Sequence, residues 1–546
     1  MKKSGIAAVA GNSSSVVTEN RSRGEMLFLV FTLIATLVFN GYCVRFYDVM
    51  SADGTGYATS GKLFFETMDP RHFGTTFPPL YPFLIGLLNL VVHDLESSAR
   101  FVSVIFNSIT IVPLYLLGRE YSKKEAIGAV LLYATLPFIH GMSGIDITEP
   151  TYTFLALSGA WFFWKAYRDS KLLRFIVSGG FCGLAYLARP EGFIVAFFLS
   201  GCLLLALLID RSMSWQSLRR IGLYFFGFLA GFFFFAFPSV TYLHGVTGKW
   251  QLSGKTVLNT NIIREYRGFA PPDQHLRIGG ADGSGNVETL ADLMKHEPEL
   301  FWLNLRENLK ELPKAFTSVF PAYFWLFVAF GVAAGRWSRD RIIREAILAA
   351  LCAPLFLYIF YFIQPRGFYA YIPILLIWVA HGGTALETMI SKRPFWRNIR
   401  IPVVLPAIAL LSLYYFYMDI PKPKPPYEYT QDGGRYDDKQ VGIKLRSIIP
   451  EQAKIMTRSG RIAFYSQRSY VLPPQGTFEE IINFARQNNV NYLIATVVLM
   501  NMRPQLQSLF LPITEPNATF VPPFGLELVH IGQEPGGLPY IIYRLR

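Results

Sequence analysis

Charge is what this sequence has least of. Only 16% of its 546 residues are Asp, Glu, Lys or Arg, against roughly a quarter in soluble domains. Cysteine is also scarce. Cys43, Cys182, Cys202 and Cys352 all lie in apolar stretches, none paired at metal-ligand spacing. That excludes a disulfide framework and a cysteine zinc site and leaves four small apolar packing residues. No basic patch with interleaved aromatics stands outside the loops between apolar runs. The net charge of +13 therefore does not point to nucleic acid.

Apolar sequence is what the chain has. Hydrophobic residues make up 52% of it, and mean hydropathy is +0.31. Eleven stretches read as membrane spans: Met26–Val44, Phe101–Leu117, Ala126–Ile139, Pro150–Trp164, Phe175–Leu187, Phe193–Ile209, Ile221–Leu243, Phe316–Ala334, Ala346–Ile363, Phe368–Ala380 and Ile401–Met418. Pro82–Val92 is apolar but too short to cross a bilayer about 30 Å thick, so it reads as re-entrant or interfacial. With eleven spans, every second loop is basic: Arg119, Lys123 and Lys124; Lys165, Arg168, Lys171 and Arg174; Arg211, Arg219 and Arg220; Arg336, Arg339, Arg341 and Arg344; Lys392, Arg393, Arg397 and Arg400. Counting Pro82–Val92 as a span inverts that pattern throughout. The positive-inside rule then predicts a cytoplasmic N-terminus and an extracytoplasmic C-terminus.

The expected organisation has three parts. Residues 1–25 form a disordered cytoplasmic tail, 26–418 a membrane domain, and 419–546 a soluble extracytoplasmic α/β domain after the Pro-rich linker Pro421–Pro426. Two large outer loops are expected, at 45–98 and 244–315. In the C-terminal domain, KIMTRS, SYVLP, VNYLIAT, LELVHIG and YIIYRLR read as strands. TFEEIINFARQNN opens on Thr477 with Glu480 three residues on, the signature of a capping box before a helix. The domain has no Gly-rich phosphate loop and no nucleophile motif, so binding or scaffolding is its expected role.

Ionisable residues gather at the predicted outer face. Asp53 follows the first span. Asp146 and Glu149, in GIDITEP, stand at the mouth of the fourth, where a Glu also complements the helix dipole. Arg189, in LARPEG, and Arg366, in QPRGFYAY, occupy later outer turns, and Lys62, Arg71 and His72 come from the first loop. Snorkelling accounts for any one of these charges; their convergence asks for a function. A carboxylate can take a proton from a hydroxyl, and a guanidinium can hold a phosphate bidentately. At a membrane surface that phosphate is a lipid phosphate.

These residues resemble those of the GT-C glycosyltransferases, in the group of the protein O-mannosyltransferases and the lipid A aminoarabinose transferases. The resemblance rests on Asp53 with Tyr57 in the first loop, PPLYP at Pro78–Pro82, and Arg100–Phe101 opening the next span. It extends to TEP at Thr148–Pro150, GLAYLARPEG at Gly183–Gly192, and Arg366 followed by aromatics, Tyr369 among them. It implies a polytopic α-helical membrane enzyme. That enzyme would move a hexose or pentose, with inversion, from a polyprenyl-phosphate donor to a glycan, lipid or protein acceptor. Asp53 would be the general base; the second acidic site falls on Asp146 or Glu149, the spacing to the span favouring Glu149, which would join Asp53 in catalysis by orienting the acceptor or the donor sugar. Arg189, Arg366 and Lys62 would hold the donor phosphate. Tyr57, Asp146, Arg71, His72 and Tyr369 would line the substrate site. Many members carry a paired acid in the first loop. Here Gly54 follows Asp53, which weakens any case for a divalent metal, and no cofactor is expected. The alternative is a multispan lipid or polysaccharide transporter. It predicts internal repeats and charges at mid-span; the spans are nearly free of charge at their centres. A non-catalytic scaffold leaves the convergent charges unexplained.

Overall fold

The structure is a computed structural model. It describes residues 23–210, 214–270, 289–392, 404–419, 436–517, 520–533 and 537–546. The linker Pro421–Pro426 and nearly all of the N-terminal tail lie outside the described residues.

Among the described residues each of the eleven predicted spans contains helix, but not all are single spans. Six helices are long and apolar enough to cross a membrane alone, and two bent pairs raise the number to eight by length and composition. One pair is Lys123–Thr135 with Pro137–Ser143, turned by 60°. The other is Pro298–Val319 with Phe324–Ala333, turned by 99°. The predicted span Phe316–Ala334 is therefore not one helix. Pro321 disfavours helical backbone at Phe320, which is extended at φ −135°, ψ 116°. Leu172–Ala188 and Val404–Asp419 are helices of 17 and 16 residues. Glu149–Asp169 runs 21 residues but buries Thr151, Thr153 and Ser158 against its neighbours. It faces protein more than lipid, which explains its modest hydropathy. The helix Trp215–Thr247 has 33 residues, about 50 Å at 1.5 Å per residue, and overshoots the predicted span at both ends.

The first loop is helical. Ser51 caps the helix Ala52–Thr67 by accepting from the Gly54 N–H; Asp53 lies in its first turn. The helix Leu80–Val92 has 13 residues, about 20 Å, short of the bilayer core. It packs on Ala52–Thr67 with backbone against backbone: a Cβ at Gly61 would collide with the Pro82 carbonyl, and one at Gly86 with the Gly61 carbonyl.

The C-terminal domain carries a five-stranded sheet at the five predicted places: β1 Lys454–Met456, β2 Ser469–Val471, β3 Tyr492–Thr496, β4 Leu526–Gly532 and β5 Tyr540–Leu545. The order is β2-β1-β3-β5-β4. β1 pairs parallel with β2 and β3, while β5 runs antiparallel to β3 and β4. The helix Phe478–Gln487 begins with the expected capping box of Thr477 and Glu480. It packs Ile481, Ile482 and Ala485 onto the sheet.

Candidate active site

Four parts of the chain converge at one end of the bundle. Asp53 comes from the first loop helix, and Glu149 opens the helix Glu149–Asp169. Arg189 ends Leu172–Ala188, and Arg366 rides on a 3₁₀ segment, Pro365–Tyr371. Together with Tyr57 they line a cavity of about 210 Å³.

Two ion-pair systems share its wall. Arg189 donates to Glu149 Oε1 and to Glu191 Oε1, each at 2.6 Å. It also donates to Thr148 Oγ1 at 3.1 Å and to the Tyr358 hydroxyl at 3.3 Å, and Tyr358 donates to Glu191 at 2.9 Å. Burial works against the Arg189 charge, but the two carboxylates outweigh it and hold its pKa above the ordinary value. The second system is looser. Arg366 Nη2 stands 3.4 Å from Asp53 Oδ2, with 41% and 37% of the two side chains exposed.

A further cation stands in the same wall. Lys255 begins the helix Lys255–Tyr266 in the second large loop. Its ammonium lies 4.7 Å from the centre of the Phe77 ring and makes no ion pair among the described residues. Burial lowers its pKa, partly opposed by the charge of Asp53.

The remaining predicted residues are elsewhere. Asp146 is buried beneath the first loop, where it accepts from Ser51 N–H at 3.1 Å and from the Ser51 hydroxyl at 2.9 Å. Burial raises its pKa. Its carboxylate fills the place a Cβ at position 54 would take, so only glycine fits there. Lys62 pairs with Glu66 at 3.7 Å and lines a separate cleft of about 690 Å³ against the C-terminal domain. Nine residues along a helix carry it about 13 Å from Asp53. Arg71 is exposed and paired with Asp69 at 2.6 Å. His72 sits in the same 3₁₀ turn, outside the cavity wall. Tyr369 is fully buried against the Tyr133 hydroxyl at 3.2 Å, behind the wall. Lys255 and Tyr358 were not singled out by sequence, whereas Glu191 stands with Arg189 at the predicted outer turn but is given no role there.

Two more cavities border this one. An apolar groove of about 330 Å³ shares Pro78, Pro190 and Ser253 with it and continues past Phe73, Phe77, Phe235 and Pro238. A third cavity of about 470 Å³ shares Asp53, Gln364 and Arg366, and is otherwise lined by Phe138, Met142, Ile145 and Arg461 among others. Among the described residues no three His, Cys, Asp or Glu side chains are grouped to hold a metal ion. The cavity's acids face guanidiniums, so the donor set does not fit a resident divalent cation.

Known proteins resemble the chain in sequence and in fold. Residues 76–240, under a third of the chain, match the family model described as dolichyl-phosphate-mannose-protein mannosyltransferase. No curated protein matches the sequence. The Archaeoglobus fulgidus oligosaccharyltransferase, crystallised with zinc and sulfate, superposes with a TM-score of 0.56 at 15% identity, over 94% of this chain and 72% of that one. ArnT from Cupriavidus metallidurans, bound to undecaprenyl phosphate, gives 0.56 at 12% identity, over 95% and 97%. The chain is thus an integral membrane protein that shares the fold of these two structures and is similar to the mannosyltransferase family model over residues 76–240.

Proposed function

We propose that this protein transfers a sugar from a polyprenyl-phosphate donor to an acceptor hydroxyl on a glycan, lipid or protein, with inversion, at the extracytoplasmic face. The observation that carries this reading is the junction of a cavity with Asp53, Arg366 and Lys255 in its wall and an apolar groove. A lipid tail suits the groove and a phosphate suits the cations. ArnT, which shares the fold, was crystallised with undecaprenyl phosphate.

On this reading the labour divides among the charged residues. Arg189 is taken up by two carboxylates, so its part is to orient Glu149 toward the sugar. Arg366 and Lys255 are left to face the phosphate. Asp53 and Arg366 separate the donor cavity from the third cavity, through which the acceptor arrives. Asp53 takes the hydroxyl proton as the acceptor oxygen bonds to the anomeric carbon. The bond from that carbon to the phosphate oxygen breaks, and its electron pair leaves on the lipid phosphate beside the two cations.

The test uses the purified full chain with undecaprenyl-phosphate-linked sugars. Asp53→Asn is expected to bind donor as the parent does and to lose transfer by about 10²- to 10⁴-fold. Near-normal transfer by that variant would remove Asp53 as the base. Failure of the parent chain to bind any polyprenyl-phosphate sugar would overturn the donor class.

A further inference from the structure

Asp53 is delivered by a short segment, Asp48 to Ser51, whose backbone groups are taken up one after another. Lys439 Nζ donates to the Asp48 carbonyl at 2.6 Å. The Met50 N–H donates to the Tyr465 hydroxyl at 2.9 Å. The Met50 carbonyl accepts from Arg461 Nε at 2.8 Å. The Ser51 N–H then goes to Asp146. The first three partners belong to the C-terminal domain, on the helices Tyr436–Ile448 and Gly460–Ser466. Tyr465 and Met50 are 415 positions apart in the chain.

These contacts are shielded and they reinforce one another. Met50 is fully buried and Tyr465 is 4% exposed, in one apolar cluster with Tyr57 of the acid helix. Lys439 also pairs with Glu96 at 3.0 Å, near the other end of the first loop. On the cavity side, by contrast, Asp53 has among the described residues only the long contact to Arg366. The place of its carboxylate is therefore set by the backbone behind it, and that backbone is held by the C-terminal domain.

We propose that the C-terminal domain is a positioning part of the active site: Arg461 and Tyr465 grip both sides of the Met50 residue and so aim Asp53. The proposal rests on the catalytic role given to Asp53 above. A misplacement near 1 Å at a reacting group costs up to about 100-fold in rate, so an atom-sized change in this grip has a kinetic signature.

The experiment takes the full chain and compares Tyr465→Phe, Arg461→Met and Arg461→Lys with Lys444→Ala, an exposed control in the same domain. Hydrogen exchange of residues 47–56 is read beside kcat, donor KM and thermal stability. Tyr465→Phe and Arg461→Met are expected to speed exchange at 47–56 and leave the segment around Glu149 unchanged. They should lower kcat about 10- to 100-fold with donor KM within about twofold. Arg461→Lys keeps a donor and should recover part of the loss, and Lys444→Ala should behave as the parent. Unchanged exchange at 47–56 in both variants overturns the grip. Faster exchange with kcat unchanged per folded molecule overturns its catalytic meaning, because a merely structural contact would behave that way. If the parent chain transfers no sugar, the proposed function falls. The exchange result then still supports or overturns the grip on its own.

Discussion

The two ends of the helical bundle use the same kinds of groups and hold them differently. At the end away from Asp53, Glu25 pairs with Arg119 at 3.2 Å and Lys123 at 3.1 Å. Glu120 pairs with Lys165 at 2.7 Å and Arg168 at 2.8 Å. Glu345 takes the Trp378 indole N–H at 2.8 Å, the Tyr121 hydroxyl at 2.6 Å and Arg344 at 3.3 Å. These three carboxylates are 6%, 7% and 9% exposed, and none lines any of the four cavities described above. At the Asp53 end, the acid meets one guanidinium at 3.4 Å and keeps 37% of its side chain open. Buried ion pairs alone do not mark a functional site. Slack beside a cavity does, because partners left partly unmet can be met by a substrate.

The same substitution at each end should therefore fail in different ways. Glu149→Gln is expected to cut transfer about 10³-fold while the protein stays folded, since Arg189 keeps Glu191 and the Tyr358 hydroxyl. Glu345→Gln is expected to leave kcat per folded molecule within about twofold and to cost about 3 kcal/mol of stability, because it removes the buried charge that Arg344, the Tyr121 hydroxyl and the Trp378 indole share. Steady-state transfer and thermal unfolding in detergent, measured on both variants, give the contrast. Equal losses of activity at both ends would erase the distinction drawn between them.

A finer test falls on the glycine that follows the acid. Gly54→Ala adds a Cβ where the Asp146 carboxylate lies. Either the carboxylate leaves Ser51 or the acid helix shifts, and in both cases Asp53 moves. Transfer is expected to fall about 100-fold with donor affinity little changed, read as kcat against KM. Gly54→Ala together with Asp146→Ala makes room for the methyl and should recover part of the loss. No recovery would mean the glycine acts in some other way.

Much of this architecture was legible in the chain. Hydropathy located the apolar helices, six to eight of which qualify as spans, and Thr477 with Glu480 announced the capping box of the helix Phe478–Gln487. Asp53, Glu149, Arg189 and Arg366 stood out because a charge beside an apolar run is costly and asks for a reason. Other features were not legible, for physical reasons. The break at Phe320 hides inside an apolar run, since hydropathy averages over backbone geometry. Lys62, Arg71 and His72 share a loop with Asp53, yet helical rise and a 3₁₀ turn carry them away from the cavity. Asp146 reads as a site acid by its neighbours in sequence, but its carboxylate works on the backbone of Ser51. Lys255 lies in a polar loop where one more lysine carries no signal. Only the fold sets it against Phe77 at the mouth of the apolar groove.

Lys255 gives the smallest expected effect and the sharpest chemical one. At the far end, the glutamates are each matched by cations. Here a cation makes no ion pair among the described residues, and burial lowers its pKa from 10.5. The ammonium is the form that binds phosphate. As pH rises through the lowered pKa, the free protein loses that form, so kcat/KM for the donor should fall on the alkaline side. The fall should begin below the pH at which an exposed lysine titrates, near 10.4. Lys255→Met should lose about tenfold in kcat/KM at neutral pH, the worth of one charge-assisted hydrogen bond, and should lack that limb. Lys255→Arg should keep donor binding and flatten the limb, because a guanidinium does not deprotonate in this range. An alkaline limb unchanged in Lys255→Arg would assign the titration to another group. Lys255 would then be no more a donor ligand than the paired lysines at the opposite end.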